Sequence, residues 1–471
     1  MQILHISAEC YPMAKAGGLA DVVGALPKYL QQAGHTSGVV MPMHRTNYLY
    51  THTWDTMHRG TIFLGEKSMD YTIIMQKSSE LGFPLYCVDI FGLLDRDRIY
   101  GYEDDSFRFL AFQMAVLEWL MNWEKKPDVL HVHDHHTALI PFLSRHCSRY
   151  SLLNRIPIVL TIHNAQYQGQ MGWEQAVLLP YWNPAARGLL DWNDCINPLA
   201  AGIKCADRVT TVSEGYLEEL MGNANGLEGL IRNERFKCKG IINGIDSEVW
   251  NPATDLFIPF HYSLKEADKG KRLNKEKLCA ELDLDAKLPL FCFIGRMVSD
   301  KSADLLPELM QKALHLFSEK MNFIILGSGH VDIENSFRNM APSPHIRLEF
   351  GYKEAFSHLL YASSDFLLMP SRVEPCGLNQ LYAMRYGTIP IVRKTGGLKD
   401  TVKDMGDAGG GTGITVYHAS MEDLLQALHR SLQLFKEKEI LSHLRKHIMS
   451  CDFSWQTKAE QYIDIYESVV N

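Results

Sequence analysis

The sequence lacks any long hydrophobic run and any excess of positive charge. None of the 471 residues falls in an unbroken apolar stretch of roughly 18 residues, the length that a membrane-spanning helix needs. The formal net charge is -8, which argues against nucleic acid as a partner. The first residues, MQILHISAEC, have the pattern of a strand and not the basic start of a signal peptide. We therefore expect a cytoplasmic protein with neither a membrane nor a nucleic-acid partner.

Paired cysteines and standard metal motifs are also missing. The ten cysteines occur singly, without a C-x-x-C pair, which argues against structural zinc and indicates thiols in a reducing compartment. One stretch, HVHDHH, is rich in histidine, but its spacing differs from zinc motifs such as H-E-x-x-H. We predict packed histidines, no metal, and one acid, Asp134, at a strand end. The histidines concerned are His131, His133, His135 and His136.

What the chain does contain is an alternation of short apolar runs with longer, helix-like segments. Runs that are apolar on both faces and separated by helices predict a parallel sheet covered on both sides, as in doubly wound α/β domains. The runs in the first half are ILHIS, GVVMP, PLYCVDI, PDVLHVH, IPIVLTIH, DRVTTVS and KGIIN. After a polar, lysine-rich interval at 261–288, the pattern resumes with PLFCFIGR, NFIILGSG, IRLEF, DFLLMPS and TIPIVRKTGG.

The length points to more than one domain, because single cores rarely grow beyond about 300 residues. We predict two Rossmann-like domains, at 1–245 and 246–453, that face each other across a deep cleft. A terminal helix at 454–471 is expected to pack back on the N-terminal domain. Open α/β sheets bind ligands beyond the carboxyl ends of their strands, so the residues that directly follow a strand are the candidates for function.

The segment KAGGLADVVGALP opens a helix shortly after the first strand. Glycines let backbone N–H groups approach an anion, and a helix N-terminus adds about half a unit of positive charge. Lys15 supplies a full charge. Lys15, Gly17 and Gly18, with Asp21 close behind, therefore predict a phosphate or diphosphate site. A glycine turn at an ordinary strand-to-helix junction is the alternative.

Two cations follow a strand in the second half. In FCFIGRMVSDKS, Arg296 comes directly after the strand and Lys301 lies five residues further on. An arginine grips two oxygens at once and a lysine acts as a mobile point charge, so this pair predicts neutralisation of a leaving diphosphate. Ordinary surface charge is the alternative.

The segment SRVEPCGLNQL follows another strand, DFLLMPS. Glu374 in this turn is able to accept hydrogen bonds from sugar hydroxyls, while the next backbone N–H groups are placed to meet a phosphate. An ordinary acid at a helix start is the alternative for Glu374. The residues that offer these N–H groups are Cys376, Gly377 and Leu378.

Other strand ends also carry hydrogen-bonding side chains. TIHN ends a strand with His163 and Asn164, and IINGID places Asn243 after another. A lone histidine is more often structural than catalytic, but the strand-end position and the adjacent hydrogen-bonding side chains make the two roles equal alternatives for His163. The glycines of GSG at 327–329 do not complete a G-x-G-x-x-G fingerprint, because the third residue after Gly329 is Asp332 and not glycine. This argues against a nicotinamide dehydrogenase.

Six segments occur in the order and spacing of bacterial glycogen synthases and plant starch synthases. They are KAGGLADVVGALP, TIHN, NGIDSEVWNP, GR with a lysine five residues later, EPCGLNQLYAMRYG and TGGLKDTV. The resemblance spans essentially the whole chain. It implies the GT-B fold and a transfer of glucose, without metal or cofactor and with retention of configuration, from a nucleotide donor to the non-reducing end of an α-1,4-glucan.

The resemblance also implies roles for individual residues. Lys15 and Gly18 resemble the loop that contacts the donor diphosphate and the acceptor side. Arg296 and Lys301 match the pair that stabilises the leaving nucleotide. Ser302 departs from the family, which commonly has glycine at this position.

Further residues match the family's sugar and base contacts. His163 and Glu374 match residues that hold the glucosyl group, and Asn243 is similar to a sugar contact. Tyr352 matches an aromatic residue that stacks on the base. Asp134 resembles an acid close to the reacting centre.

The partners implied are ADP-glucose, with UDP-glucose as the alternative, and glycogen or malto-oligosaccharide. Tyr382 stands where many related transferases have a second glutamate, so a mechanism that uses two carboxylates there is not expected. A non-catalytic glucan-binding protein is the second hypothesis, with Trp173, Trp182 and Trp192 as stacking surfaces. It gives no reason for cations at the strand ends.

Overall fold

A computed structural model describes residues 1–78, 80–351, 353–407 and 410–470. The chain divides into two units. The first unit comprises Met1–Gly244 and Trp455–Asn471, and the second unit comprises Ile245–Ser454. Within the described residues, no helix is both long and apolar enough to cross a membrane. A cytoplasmic location stays a prediction.

The first unit is built on a mixed sheet of nine strands, with a separate two-stranded ribbon. Its strands are β1 (Gln2–Ile6), β2 (Thr36–Pro42), β3 (Trp54–Leu64), β4 (Lys67–Gln76), β5 (Leu85–Asp89), β6 (Val129–His133), β7 (Ile158–Ile162), β8 (Asp191–Trp192), β9 (Cys195–Ile196), β10 (Arg208–Thr211) and β11 (Cys238–Gly240). The sheet order is β11-β10-β7-β6-β1-β2-β5-β4-β3, and β8 pairs with β9. All neighbours in the sheet are parallel except β4, which is antiparallel to both β5 and β3.

The hairpin formed by β3 and β4 was absent from the predicted pattern. Its strands, WDTMHRGTIFL and KSMDYTIIMQ, alternate exposed with more buried residues over much of their length. A run that is apolar on both faces indicates a strand covered on both sides, and this hairpin at the sheet edge is not covered in that way. The predicted parallel sheet is therefore extended by an antiparallel edge.

Helices flank this sheet, and the C-terminal helix, Trp455–Val470, is one of them. Its residues Trp455, Ala459, Tyr462 and Tyr466 are spaced three and four apart and form one buried face, which joins the core cluster that contains Val22 of the first helix. The other helices of this unit are α1 (Gly18–Gln32), α2 (Asn47–Thr51), α3 (Asp105–Met121), α4 (Ile140–His146), α5 (Arg187–Leu190), α6 (Pro198–Cys205), α7 (Glu214–Gly222) and α8 (Glu228–Asn233).

The second unit is a doubly wound sheet of six parallel strands. They are β12 (Leu290–Ile294), β13 (Asn322–Gly327), β14 (Ile346–Phe350), β15 (Phe366–Met369), β16 (Ile389–Arg393) and β17 (Ile414–Val416). Their order is β14-β13-β12-β15-β16-β17, which is the Rossmann order 3-2-1-4-5-6. Its helices are α9 (Ala267–Glu281), α10 (Leu306–Leu316), α11 (Val331–Arg338), α12 (Glu354–Ser363), α13 (Asn379–Arg385), α14 (Gly396–Thr401), α15 (Met421–Lys436) and α16 (Lys438–Ser450).

Most of the lysine-rich interval at 261–288 is helical and forms α9. Lys271 is fully buried, and its ammonium donates to the carbonyls of Tyr361 and Ala362 at 3.0 and 3.2 Å. Burial holds the pKa of Lys271 well below its ordinary value. A lysine-rich composition is compatible with burial, because long lysine stems pack against apolar surface while the ammonium finds polar partners.

Among the parallel strands of each large sheet there is a switch point at which the strand order reverses. In the first unit it lies between β1 and β6, which are neighbours although five strands apart in sequence. In the second unit it lies between β12 and β15. Ligands of open α/β sheets bind beyond the carboxyl ends of the strands at such points, so the loops that follow these strands are candidate binding regions.

Candidate active site

The loop between β1 and α1 presents a cation at the start of a helix. Residues 15–18 are exposed, and α1 begins at Gly18 without a side-chain cap. The ammonium of Lys15 contacts Oδ1 of Asp21, in the first turn of α1, at 2.6 Å. The acid therefore holds the lysine beside the helix N-terminus, where backbone N–H groups favour anions.

A buried carboxylate, Glu9, organises this loop. Its Oε2 accepts hydrogen bonds from the N–H groups of Ala16 and Gly17 at 2.5 and 3.0 Å, and its Oε1 accepts one from the Tyr100 hydroxyl at 2.6 Å. Burial raises the pKa of Glu9, although these hydrogen bonds oppose the shift. The Gly17 N–H, in the loop predicted to bind a phosphate or diphosphate, is therefore already occupied by an internal carboxylate.

Gly17 and Gly18 are not required by the internal packing of the loop. A Cβ added to either would meet no atom within 4 Å, and the φ of Gly17 is -151°. Neither crowding nor a left-handed backbone explains these glycines. What the missing side chains leave is open space beside Lys15, which suits the close approach of a ligand.

Asp134 joins the ends of two neighbouring strands. It follows β6 directly, with a left-handed φ of 56°. Its Oδ1 accepts hydrogen bonds from the N–H groups of His163 and Asn164, just after β7, at 2.7 and 3.3 Å. Burial raises the pKa of Asp134 to about 7 in spite of these bonds. The structure thus brings Asp134 together with the pair His163 and Asn164, which the sequence analysis singled out at a separate strand end.

A row of buried histidines leads to His163. His163 Nε2 lies 3.1 Å from His133 Nδ1, and His133 Nε2 lies 3.2 Å from His5 Nδ1. Burial lowers the pKa values of His163 and His5 to about 3 and holds that of His133 well below its ordinary value. These three rings are therefore neutral at physiological pH.

Hydrogen bonds within the protein use five of the six ring nitrogens of His5, His131 and His133. His5, His131 and His133 form the one group of described residues whose ligand atoms, all within 4.8 Å of one another, suit a metal ion. The nitrogens of His131 bond the Tyr466 hydroxyl at 2.8 Å and the Thr161 hydroxyl at 2.6 Å. Among the ring nitrogens of these three histidines, only Nε2 of His5 lacks a partner within the described residues. A metal would have to replace these bonds, so packed histidines remain the better interpretation.

The second unit carries two cations in the loop after β12. Lys301 Nζ contacts Oε2 of the buried Glu374 at 2.6 Å, and the Ser371 hydroxyl donates to the same oxygen at 3.1 Å. Arg296 is exposed, and its guanidinium has no hydrogen-bond or ion-pair partner among the described residues. One carboxylate therefore balances one of the two cations, and Arg296 stays available to an anion.

Arg372, which the sequence analysis missed, links the loop of Lys301 to the loop of Glu374. Its N–H donates to the carbonyl of Asp300 at 2.7 Å, and its guanidinium holds both carboxylate oxygens of Asp304 at 2.6 and 2.8 Å. Between these contacts lies Ser302, with a left-handed φ of 54° and a buried hydroxyl that lacks a hydrogen-bond partner in the described chain.

Glycines of TGGLKDTV support the Glu374 loop from β16. Gly396 has a φ of 42°, and a Cβ on it would collide with the Glu374 carbonyl. A Cβ on Gly397 would collide with the Cys376 carbonyl, and the Gly397 N–H donates to the Glu374 carbonyl at 3.1 Å. Side chains at these two positions would push the loop of Glu374 away from the sheet.

The GSG segment after β13 has a similar packing role. A Cβ on Gly327 would collide with the carbonyl of Gly295, and one on Gly329 with the carbonyl of Met297. The Met297 N–H donates to the Ser328 carbonyl at 2.8 Å. These glycines therefore let the loop that carries Arg296 lie against β13, and they do not form a dinucleotide fingerprint.

Backbone donors precede the short helix α13. Gly377 has a φ of 74°, which favours glycine, and the N–H groups of Gly377 and Leu378 have no acceptor within the described residues. Cys376 is buried, which fits a small side chain in a tight turn better than a nucleophile. These donors lie in the same loop as Glu374.

The remaining predicted residues are placed as follows. Asn164 forms a local turn in which its Oδ1 accepts from the Gln166 N–H at 2.9 Å. Asn243 is buried in the first unit, three residues after β11. Tyr352 lies outside the described residues.

The tryptophans of the glucan-binding hypothesis are half-buried, and each has an aromatic or cationic neighbour. The guanidinium of Arg187 lies 3.9 Å from the Trp173 ring centre, and the ammonium of Lys204 lies 5.0 Å from that of Trp192. Trp182 meets Phe142 edge-on at 5.8 Å between ring centres. Their faces are therefore partly covered within the first unit.

Comparison with known proteins identifies related sequences. A family model described as the starch synthase catalytic domain matches residues 2–233, and one for glycosyl transferases group 1 matches 274–444. The chain is 48% identical over 472 residues to a glycogen synthase of Flavobacterium johnsoniae, covering 100% of this chain and 99% of that one. It is 36% identical over 483 residues to a glycogen synthase of Streptococcus pneumoniae, covering both chains completely.

Solved structures show the same fold. The catalytic domain of starch synthase IV from Arabidopsis thaliana, bound to ADP and acarbose, matches with a TM-score of 0.89 and 33% identity over 99% of each chain. A sucrose-phosphate synthase from Thermosynechococcus elongatus matches with a TM-score of 0.66 and 16% identity, over 100% of this chain and 99% of that one. The second likeness concerns the fold alone.

Proposed function

Because the chain belongs to the starch and glycogen synthase family of glycosyltransferases, we propose that it transfers glucose from ADP-glucose to the non-reducing end of an α-1,4-glucan, with retention of configuration. The full-length identity to glycogen synthases supports the reaction. The ADP bound to the related starch synthase supports ADP over UDP as the nucleotide of the donor. UDP-glucose is the alternative donor.

The second unit would hold the departing diphosphate. The cation pair after β12 supports this role. Glu374 balances Lys301, while Arg296 has no partner among the described residues. An incoming diphosphate would bind Arg296 in a bidentate manner and draw Lys301 toward its oxygens. The backbone donors of Gly377 and Leu378 would bind further phosphate or sugar oxygens. Such preset charges stabilise a leaving group most as its bond breaks.

The first unit would bind the sugar and the acceptor side. His163 and Asn164 offer hydrogen-bonding groups beside Asp134, and Lys15 with Gly18 offers a cation at a helix N-terminus. Asp21 would keep the ammonium of Lys15 in place. Three assignments complete the proposal: a sugar contact by Asn243, base stacking by Tyr352, and an acid near the reacting carbon, Asp134.

The carboxylates near these groups are poorly suited to act as a nucleophile. Glu374 is held by Lys301 and Ser371, and Asp134 is held by two N–H groups, with burial raising its pKa to about 7. We therefore favour attack by the acceptor hydroxyl on the face from which the diphosphate leaves. The bond from the anomeric carbon to the diphosphate breaks, the bond to the acceptor oxygen forms, and the hydroxyl proton passes to the departing phosphate. Family membership supports the use of both sites in one reaction.

Nucleotide release with glycogen as acceptor tests the proposal. We expect ADP release from ADP-glucose, slower UDP release from UDP-glucose, and a product whose new linkage is α-1,4 by NMR. Lys301→Ala should lower kcat roughly 100-fold to 1,000-fold, the range for losing one charge-stabilising donor. Lys312→Ala removes an exposed lysine paired with Glu308 on α10, and it is the matched control.

Three other results would each contradict one part of the proposal. Glycogen binding without nucleotide release from either donor would favour the non-catalytic glucan-binding protein. A Lys301→Ala variant with the parent kcat would remove Lys301 from the mechanism. Release of UDP faster than ADP would correct the donor.

A further inference from the structure

We infer that His5 and His133 act as positioning residues that set the tautomer of His163, so that its ring offers an N–H donor at Nδ1 to a sugar hydroxyl. The nature of that ligand rests on the proposed function, whereas the tautomer does not. The three rings form a row that runs from the core of the first unit to the end of β7. We refer to them as the histidine row.

The geometry of the row links each ring to the next through one nitrogen pair. His5 Nδ1 faces His133 Nε2 at 3.2 Å, and His133 Nδ1 faces His163 Nε2 at 3.1 Å. All three residues are buried, and His163 is the most exposed of them, at 8%. Nδ1 of His163 has no partner within the described residues. The row therefore has one sealed end at His5 and one open end at His163.

The sealed end determines the direction of the hydrogen bonds. A neutral imidazole has one N–H donor and one acceptor nitrogen. Nε2 of His5 is buried without a partner in the described chain. A buried N–H without an acceptor is rarer than a buried acceptor without a donor, so the proton of His5 belongs on Nδ1. His5 then donates to His133, and His133 is the acceptor at Nε2.

The same rule passes along the row. Because His133 accepts at Nε2, its proton is on Nδ1 and is donated to Nε2 of His163. His163 accepts there, so its own proton is on Nδ1, at the open end. Burial lowers the pKa values of His5 and His163 to about 3, which keeps a second proton off these rings near neutral pH.

This arrangement limits what His163 does in the reaction. Its open nitrogen already carries a proton, so it donates a hydrogen bond to an oxygen and does not remove a proton from the acceptor hydroxyl. His163 is thereby a binding group with a fixed direction. His133 and His5 do not touch substrate in this interpretation and act only through His163.

Nitrogen-15 NMR of histidine-labelled enzyme tests the tautomer without any substrate. The signals of His163 are assigned by their loss in His163→Gln, and long-range proton–nitrogen correlations report which ring nitrogen is protonated. We expect a protonated Nδ1 and an unprotonated Nε2 in the parent enzyme near neutral pH. A protonated Nε2 would overturn the inference, whatever the fate of the proposed function.

Variants of His133 test the consequence for binding. The assay compares donors that each lack one glucose hydroxyl, and the hydroxyl that His163 contacts should be worth about tenfold in kcat/KM, the upper range for one neutral hydrogen bond. In His133→Leu, which removes the donor to His163, this penalty should shrink to less than about threefold. His131→Leu is the matched control, because His131 is an equally buried histidine of β6 that bonds Tyr466 and Thr161 instead.

His133→Asn guards against a variant that fails to fold. Its amide nitrogen lies near the position of Nδ1 and is able to donate to His163, so the parent tautomer and the tenfold penalty should return. Equal losses in His133→Leu and His131→Leu would show a merely structural effect and refute the positioning role. If no donor is turned over, the NMR result still decides the tautomer, while the proposed function fails on its own.

Discussion

Replacing Asp134 by asparagine should stabilise the first unit, and the gain should grow with pH. Asp134 is 7% exposed, and burial raises its pKa from the ordinary 3.8 to about 7. The carboxylate is thus costly to ionise in the folded protein. An asparagine oxygen accepts the same hydrogen bonds from the N–H groups of His163 and Asn164, without a charge to bury.

The magnitude follows from the linkage between proton binding and folding. Between pH 3.8 and about 7 the folded protein binds the Asp134 proton and the unfolded chain does not. The free energy of unfolding therefore falls as pH rises through this interval, by about 1.4 kcal/mol per pH unit. Over the whole interval the cost reaches about 4 kcal/mol, and between pH 5 and pH 8 about 3 kcal/mol of it appears. Asp134→Asn has no such cost.

Hydrogen exchange at pH 5 and pH 8, corrected for the intrinsic exchange rate, measures the first unit separately from the second. Peptides that cover β6 and β7 report the opening free energy around Asp134. The advantage of Asp134→Asn should increase by about 3 kcal/mol from pH 5 to pH 8. Asp97→Asn, at an exposed aspartate, controls for the removal of one negative charge. An advantage that is equal at both pH values, or a less stable variant at pH 8, would refute the reasoning.

Three further predictions concern the second unit. Lys301→Ala should lower kcat roughly 100-fold to 1,000-fold in the nucleotide-release assay, against an unchanged Lys312→Ala. Ser302→Gly should raise the free energy of unfolding in urea by about 1 kcal/mol, because it removes a left-handed serine and its buried, unbonded hydroxyl; a loss of stability would contradict this account. Gly396→Ala should lower that free energy by about 3 kcal/mol and reduce kcat, since its Cβ would displace the Glu374 carbonyl; unchanged stability and rate would show that the loop yields freely.

Much of the fold follows from local pattern. Strands β1, β6, β7, β12 and β15 are buried runs that read directly as strands, and helices lie between many of the runs. The hairpin of β3 and β4 was not predicted, because its partly exposed strands contain no continuous buried apolar run. Helix α9 was not predicted, because a lysine-rich composition does not distinguish buried lysines from exposed ones.

The predicted site residues share one feature, their position along the chain. Lys15, Asp134, His163, Arg296 and Glu374 all come soon after a buried strand, and the carboxyl ends of parallel strands share one edge of a sheet. Glu9 meets the same criterion, although the sequence analysis did not single it out. Its distance of three residues from the end of β1 was the available signal.

Sequence by itself therefore determined the Rossmann-like domains, the family, and the residues at the strand ends, because strand period and motif spacing are local properties of the chain. Tertiary structure alone decided which side chains meet: Glu9 binds Tyr100 from 91 residues away, and His5 faces His133 from 128 residues away. It also decided the charge of these groups. A pKa depends on burial, and the burial of one side chain results from many segments that are distant in sequence. No single stretch of sequence therefore predicts that pKa.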